Sequence, residues 1–262
     1  MSHTDLTLIV TAYRDNYLAE ALLSVAAQTY HRFDLICCAD VNYSDDALQC
    51  FENFFTHIPC FSKKLLTVQG NGTAGYVRNV GFRAAKTTWV AYLDGDDFLH
   101  PTAIERVHET IERDQGKIPY YSTAIVRVTI EGKQKPIPAS LDYYPPRWIY
   151  SIDPDIVGHR TYFNQFNVIR KSEWEAYPFD ETTNGEDIDY TLHHLLRGQF
   201  MKIPEYLYFF RDTPESFSKF SFPSGDICTQ RYRDGYYKRL FERMYTNIVA
   251  DNFRDTPIPS IQ

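Results

Sequence analysis

Asp94, Asp96 and Asp97 place three carboxylates within four residues, directly after the apolar run Trp89-Val-Ala-Tyr-Leu93. Left unneutralised, they would repel one another. A hard divalent cation removes that cost, because Mg²⁺ and Mn²⁺ take oxygen ligands and share them with phosphates. The same residues also suit an Asp-rich turn that caps the next helix. A second acidic trio, Glu186, Asp187 and Asp189, follows Thr183-Asn184-Gly185 about ninety residues later, at a helix start. A helix dipole stabilises negative charge there, so these acids read either as a cap or as the source of a catalytic base. A third pattern, Gly70-Asn71-Gly72-Thr73-Ala74-Gly75, spells the dinucleotide fingerprint between a strand and a helix, with Asp94 about twenty residues on. It makes an NAD(P)-binding oxidoreductase the alternative from another class. The fingerprint belongs on the first β-α turn, whereas this is the third, and three carboxylates exceed what one ribose needs.

The elements that must position these groups alternate along the first hundred residues. Leu6–Ala12, Phe33–Ala39, Leu65–Val68 and Trp89–Leu93 are apolar runs of strand length. Between them, helical spacing links Leu18, Leu22, Val25 and Ala26 after an Asp15 N-cap. It also links Leu48, Phe51 and Phe55 after Ser44, and Val77, Val80 and Ala84 after the glycines. A fourth helix carries Ile104, Val107 and Ile111, with Pro101 in its first turn. This order predicts an α/β fold with a parallel sheet covered on both faces and ligands beyond the carboxyl ends of its strands. Downstream, Ala124, Val126, Val128 and Ile130 alternate as a half-exposed strand, and 134–160, rich in Pro, Tyr and Trp, reads as a long loop. A helix from about Asp187 to Arg197 stops at Gly198, and 254–262 reads as a frayed tail.

The net charge of −7 argues against a general nucleic-acid binder. The five cysteines, Cys37, Cys38, Cys50, Cys60 and Cys228, show no zinc spacing and suit a reduced protein. The first residues, Met-Ser-His-Thr-Asp, are too polar for a signal peptide, and no apolar run reaches about 18 residues, so a soluble cytoplasmic protein is expected. His193 and His194 read as structural. Trp148 with Tyr143, Tyr144 and Tyr150 is either a sugar-stacking surface or packed loop. The stretch from Arg231 to Tyr245 interleaves Arg233, Lys238, Arg239 and Arg243 with aromatics. It suits a helix on an anionic membrane surface or one packed on the core.

Thr11-Ala12-Tyr13-Arg14, Gln28-Thr29-Tyr30, Arg78-Asn79, Asp94-Gly95-Asp96 and Gly185-Glu186-Asp187 occur in this order over roughly residues 6–215. Together they resemble the family 2 glycosyltransferases of the GT-A fold. The resemblance implies a Rossmann-like nucleotide-sugar-binding half at 1–115 and an acceptor-binding half of the same domain, carrying the base, at 116–225. A C-terminal helical extension and tail would follow at 226–262. It implies inverting, Mn²⁺- or Mg²⁺-dependent transfer from a nucleotide sugar, UDP-linked, to a glycan or lipid-linked hydroxyl acceptor in surface polysaccharide synthesis. Peripheral membrane association through the C-terminal helix would suit such an acceptor. By resemblance, Thr11, Tyr13, Asp40, Arg78, Asp94 and Gly95 bind the nucleotide and Asp96 the metal. Asp187 is then the base, and Glu186 orients the acceptor or Asp187. Two departures stand out. Thr213 occupies the position of the family's metal-binding His, and Ala39-Asp40-Val41-Asn42-Tyr43-Ser44-Asp45 lacks the glycine of its Asp-Asp-Gly-Ser turn. Retention of both Asp96 and Asp187 argues against a non-catalytic binder. The glycine-free Thr11–Asp15 stretch argues against a sugar nucleotidyltransferase.

Overall fold

The computed structural model describes residues 5–12, 17–42, 45–129, 134–137, 166–182, 185–197 and 201–212. The chain opens with β1 (Leu6–Ala12), α1 (Leu18–Ala26), β2 (Asp34–Asp40), α2 (Asp45–Phe55), β3 (Ser62–Val68), α3 (Ala74–Ala84) and β4 (Trp89–Asp94). All seven residues of β1 are buried, as befits a parallel strand covered on both faces. Strands β3, β2, β1 and β4 lie side by side in that order, all parallel. The order reverses between β1 and β4, which opens a crevice beyond their carboxyl ends.

The period-2 alternation of the strands sorts their side chains into two cores. Leu8, Val10, Leu35, Cys37 and Leu93 face α1 and α2 and pack with Leu22, Val25 and Phe51. Ile9, Ile36, Cys38, Val90 and Tyr92 face the other side and pack with Val77 and Phe82 of α3. The adjacent cysteines therefore point to opposite cores as small apolar residues, and burial pushes the Cys38 thiol up to about 12.

After β4 come β5 (Phe98–Leu99), α4 (Ala103–Asp114), β6 (Tyr120–Thr129), β7 (Gln134–Ile137) and β8 (Val168–Arg170). Then follow α5 (Lys171–Ala176), α6 (Glu186–Leu196) and β9 (Met201–Asp212). Strand β8 joins β4 antiparallel, β6 joins β8, and β9 joins β6 in parallel and β5 antiparallel. One mixed sheet, mainly parallel in its first half, thus carries strands from both sides of residue 115.

Several local expectations change. The N-cap of α1 is Tyr17, which makes no side-chain cap bond; Asp15 and Ser44 lie outside the described residues. Helix α4 begins at Ala103 with Thr102 as N-cap. Pro101 sits in the preceding turn, because the Ala103 N–H donates to the His100 carbonyl at 2.9 Å. Gln28 locks this junction: its Nε2 donates to the His100 carbonyl at 2.8 Å and its Oε1 accepts from the Ile104 N–H at 3.0 Å. Strand β6 is not half-exposed. Ile125 and Val126, on opposite faces, are both buried, Ile125 within the core on the α1 side, where β6 runs between β7 and β9. The expected loop at 134–160 starts as strand β7, paired with β6. Among the described residues, no helix is long and apolar enough to cross a membrane.

Candidate active site

The carboxyl ends of β1, β2 and β4 bring Thr11, Asp40 and Asp94 to one edge of the sheet. Thr11 and Asp94 are register partners, and the Thr11 hydroxyl donates to Asp94 Oδ1 at 3.2 Å. Asp40 is buried. Its Oδ1 accepts from the N–H groups of Asn42 and Gly70, each at 3.1 Å, while its Oδ2 is buried with no hydrogen-bond partner. Only glycine fits at position 70, since a Cβ there would lie 1.9 Å from Asp40 Oδ2. Tyr13 lies outside the described residues.

The three carboxylates after β4 have separate roles. Asp97 is buried; its Oδ2 accepts from the Tyr208 hydroxyl and its Oδ1 from the Arg211 N–H at 2.7 Å. Turning Asp97 toward a metal would orphan both donors, at about 1–3 kcal/mol each, so it is an anchor for β9. Burial first, then Asp96 and Asp94, pushes the Asp97 carboxyl well above its ordinary value. Asp94 is held by Thr11 and by Arg78. Among the described residues no side chain hydrogen-bonds the Asp96 carboxylate. Burial and the neighbouring Asp94 charge push its pKa up to about 6. The peptide that presents Asp96 is braced by Arg211, whose Nε donates to the Asp96 carbonyl at 3.0 Å and whose terminal nitrogen pairs with Glu20 at 2.5 Å. Tyr17 covers this guanidinium at 4.1 Å.

Arg78 of α3 reaches across to the second acidic trio. Its terminal nitrogen pairs with Asp94 Oδ2 at 2.7 Å and its other one with Glu186 Oε1 at 2.5 Å. The guanidinium carbon lies 4.2 Å from the Tyr92 ring centre. Burial lowers the Arg78 pKa, but Asp94, Tyr92 and Glu186 outweigh it, and the group stays charged, well above its ordinary value. Burial also raises the Glu186 carboxyl above its ordinary value, against the pull of Arg78. Asp187 is half-buried on the same first turn of α6, and Asp189 accepts from the Tyr177 hydroxyl at 2.8 Å.

The neighbouring Asn79 pins the loop that delivers α6. Its Nδ2 donates to the Phe179 carbonyl and to Glu181 Oε1, both at 2.8 Å, and its Oδ1 accepts from Trp174 at 2.8 Å. Asn71 and Thr73 both donate to the Glu181 carbonyl. A Cβ at Gly75 would lie 2.0 Å from the Asp180 carbonyl oxygen. The fingerprint glycines at 70 and 75 thus admit Asp40 and the 180 loop, and the motif follows β3, the outermost strand, not β1. His193 stacks on Tyr177 with ring centres 3.7 Å apart, and His194 packs between Tyr120 and Tyr190. Burial lowers the His194 pKa to about 3, so it is neutral packing.

Among the described residues, no group of three His, Cys, Asp or Glu side chains is arranged to hold a metal. Mg²⁺ and Mn²⁺, however, commonly bind through one or two carboxylates plus substrate phosphates. Asp96, which no described side chain hydrogen-bonds and which stands just past the carboxyl end of β4, fits a cation that arrives with a diphosphate. Gly95 is buried in the turn between the two acids. Thr213, Trp148, the tyrosines of the 143–150 stretch, Cys228 and the Arg231–Tyr245 segment lie outside the described residues. Sequence reasoning missed the bracing by Arg211 and Tyr208. Their only signal is an Arg and a Tyr in an aromatic strand that ends where an acidic turn must be covered.

The family profile described as glycosyl transferase family 2 matches residues 7–170. An uncharacterized glycosyltransferase of Haemophilus influenzae is 29% identical over 128 residues. That match covers 48% of this chain and 41% of the relative, so the chain spans less than half the relative's length. The structure of residues 1–349 of S. aureus TarS in complex with UDP-GlcNAc is 16% identical with a TM-score of 0.64, over 94% of this chain and 73% of that one. The corresponding complex with UDP gives 17%, 0.62, 94% and 72%. These likenesses show the shared GT-A fold.

Proposed function

The chain belongs to glycosyl transferase family 2, and from that premise we propose that it transfers a sugar from a nucleotide sugar, most simply a UDP-sugar, to a hydroxyl acceptor with inversion. One observation carries the reading. Arg78 gathers the acid-bearing end of β4 and the acid-bearing start of α6 onto one guanidinium, so that a donor subsite and a candidate base share one crevice. The UDP and UDP-GlcNAc bound by TarS, which has the same fold, support the choice of nucleotide.

In this reading the nucleoside lies across the ends of β1 and β2, where the unpartnered Asp40 Oδ2 accepts a ring or ribose donor and Thr11 and Asp94 line the ribose side. Tyr13 would supply the stacking face. Asp96 would hold Mn²⁺ or Mg²⁺, which when bound neutralises charge on the diphosphate. Asp187 takes the proton of the acceptor hydroxyl. The acceptor oxygen then forms a bond to the anomeric carbon as the carbon–oxygen bond to the diphosphate breaks, and its electron pair leaves with the nucleotide. One displacement inverts the anomeric centre. The acceptor is proposed to be a glycan or lipid-linked saccharide in surface polysaccharide synthesis, with the enzyme in the cytoplasm or peripheral at the membrane's inner face.

The test is a panel of nucleotide sugars with Mn²⁺ and saccharide acceptors, followed by nucleoside diphosphate release. Release from a UDP-sugar well above the rate with other donors is expected. Release from no donor, with the protein folded, would remove the reading.

A further inference from the structure

Each nitrogen of the Arg78 guanidinium hydrogen-bonds one of the protein's own carboxylates. Its Nε and one terminal nitrogen bond Asp94 at 3.3, 2.9 and 2.7 Å, and the other terminal nitrogen bonds Glu186 at 2.5 Å. The residue is 4% exposed, with Tyr92 and Phe179 rings 4.2 and 5.9 Å from its central carbon. Asp94 ends the strand that presents Asp96, and Glu186 immediately precedes Asp187 on α6. The two carboxylates stand on elements far apart in sequence, and a planar fork can take Asp94 bidentately and Glu186 on its other arm, a geometry that an ammonium does not reproduce.

We propose, on the basis of the sugar-transfer reading above, that Arg78 is a positioning residue with Glu186 as its partner. Together they hold the base-bearing first turn of α6 in register with the donor end of β4. The loop before α6 does not depend on this grip, because Asn79, Asn71 and Thr73 pin Phe179 and Glu181 independently. Loss of the grip should therefore loosen residues 186–189 and leave residues 177–182 in place. A displacement of about 1 Å at a reacting group can cost about 10²-fold in rate, so a small loosening has a large kinetic effect.

The experiment compares wild type, Arg78→Lys, Glu186→Gln and the double variant by UDP calorimetry, donor turnover and amide exchange of peptides covering 185–197 and 177–182. Arg78→Lys is expected to lower kcat by about 10²-fold, with the UDP Kd changed less than about threefold. The double variant should be no slower than Arg78→Lys alone, because both changes break one link. Exchange should quicken in 185–197 and not in 177–182. A tenfold weaker UDP affinity with kcat retained would overturn the proposal and make Arg78 a donor ligand. So would losses that add in the double variant, or unchanged exchange in 185–197. A wild type that turns over no donor would overturn the sugar-transfer reading alone, and the exchange arm then decides the link.

Discussion

Asp187→Asn is expected to lower kcat by about 10²–10⁴-fold, the contribution of a well-placed general base. The amide keeps the shape of the carboxylate on the first turn of α6 but cannot take a proton. UDP affinity should stay within about threefold, because Asp187 stands on the first turn of α6, which the proposal assigns to the acceptor, while Thr11 and Asp40 stand on the strand ends. Steady-state rates and UDP calorimetry on the same preparation separate the two quantities. Near wild-type transfer by the Asn variant would remove Asp187 as the base. An equal fall in affinity and rate would show that it contacts the nucleotide instead.

Asp96→Asn should act in the opposite way. Of the three acids after β4, Asp97 is committed to Tyr208 and Arg211 and Asp94 to Arg78 and Thr11, so neither can replace Asp96 without orphaning a buried donor. The part of UDP affinity that depends on Mn²⁺ is therefore expected to fall by about 10–100-fold, the usual scale for disturbing a metal site. The metal-free affinity should be unchanged. The measurement is a UDP titration with Mn²⁺ and with chelator for both proteins. A variant that keeps the full Mn²⁺ enhancement would transfer the ligand role to another residue.

Much of the fold was legible because its signals are local. The apolar runs of β1, β2 and β4 and the helical spacing of α1 and α3 read directly from residue order, and the acidic cluster at the end of β4 announces itself. Less local facts were not legible. Whether β6 is half-exposed depends on what tertiary packing lays over its faces, and Ile125 and Val126, on opposite faces, are both buried. Pro101 suits a first helical turn by type, but the turn closed by His100 and capped through Gln28 starts the helix later. The division of labour among Asp94, Asp96 and Asp97 is set by Arg78 and by β9, more than a hundred residues downstream, and no spacing rule encodes it. Arg78 itself was legible as part of a motif. That its partners are Asp94 and Glu186 required the third dimension. The same holds for the glycine-rich turn, whose letters match a dinucleotide fingerprint while its space is filled by Asp40 and Asp180.

The most direct test of nucleotide-sugar binding in this crevice is calorimetric titration of the full chain with UDP, with and without Mn²⁺, beside an identical titration with NADH. Saturable UDP binding that tightens with Mn²⁺, and no binding of NADH, is the result expected. NADH binding more tightly than UDP, or no UDP binding under either condition, would contradict it.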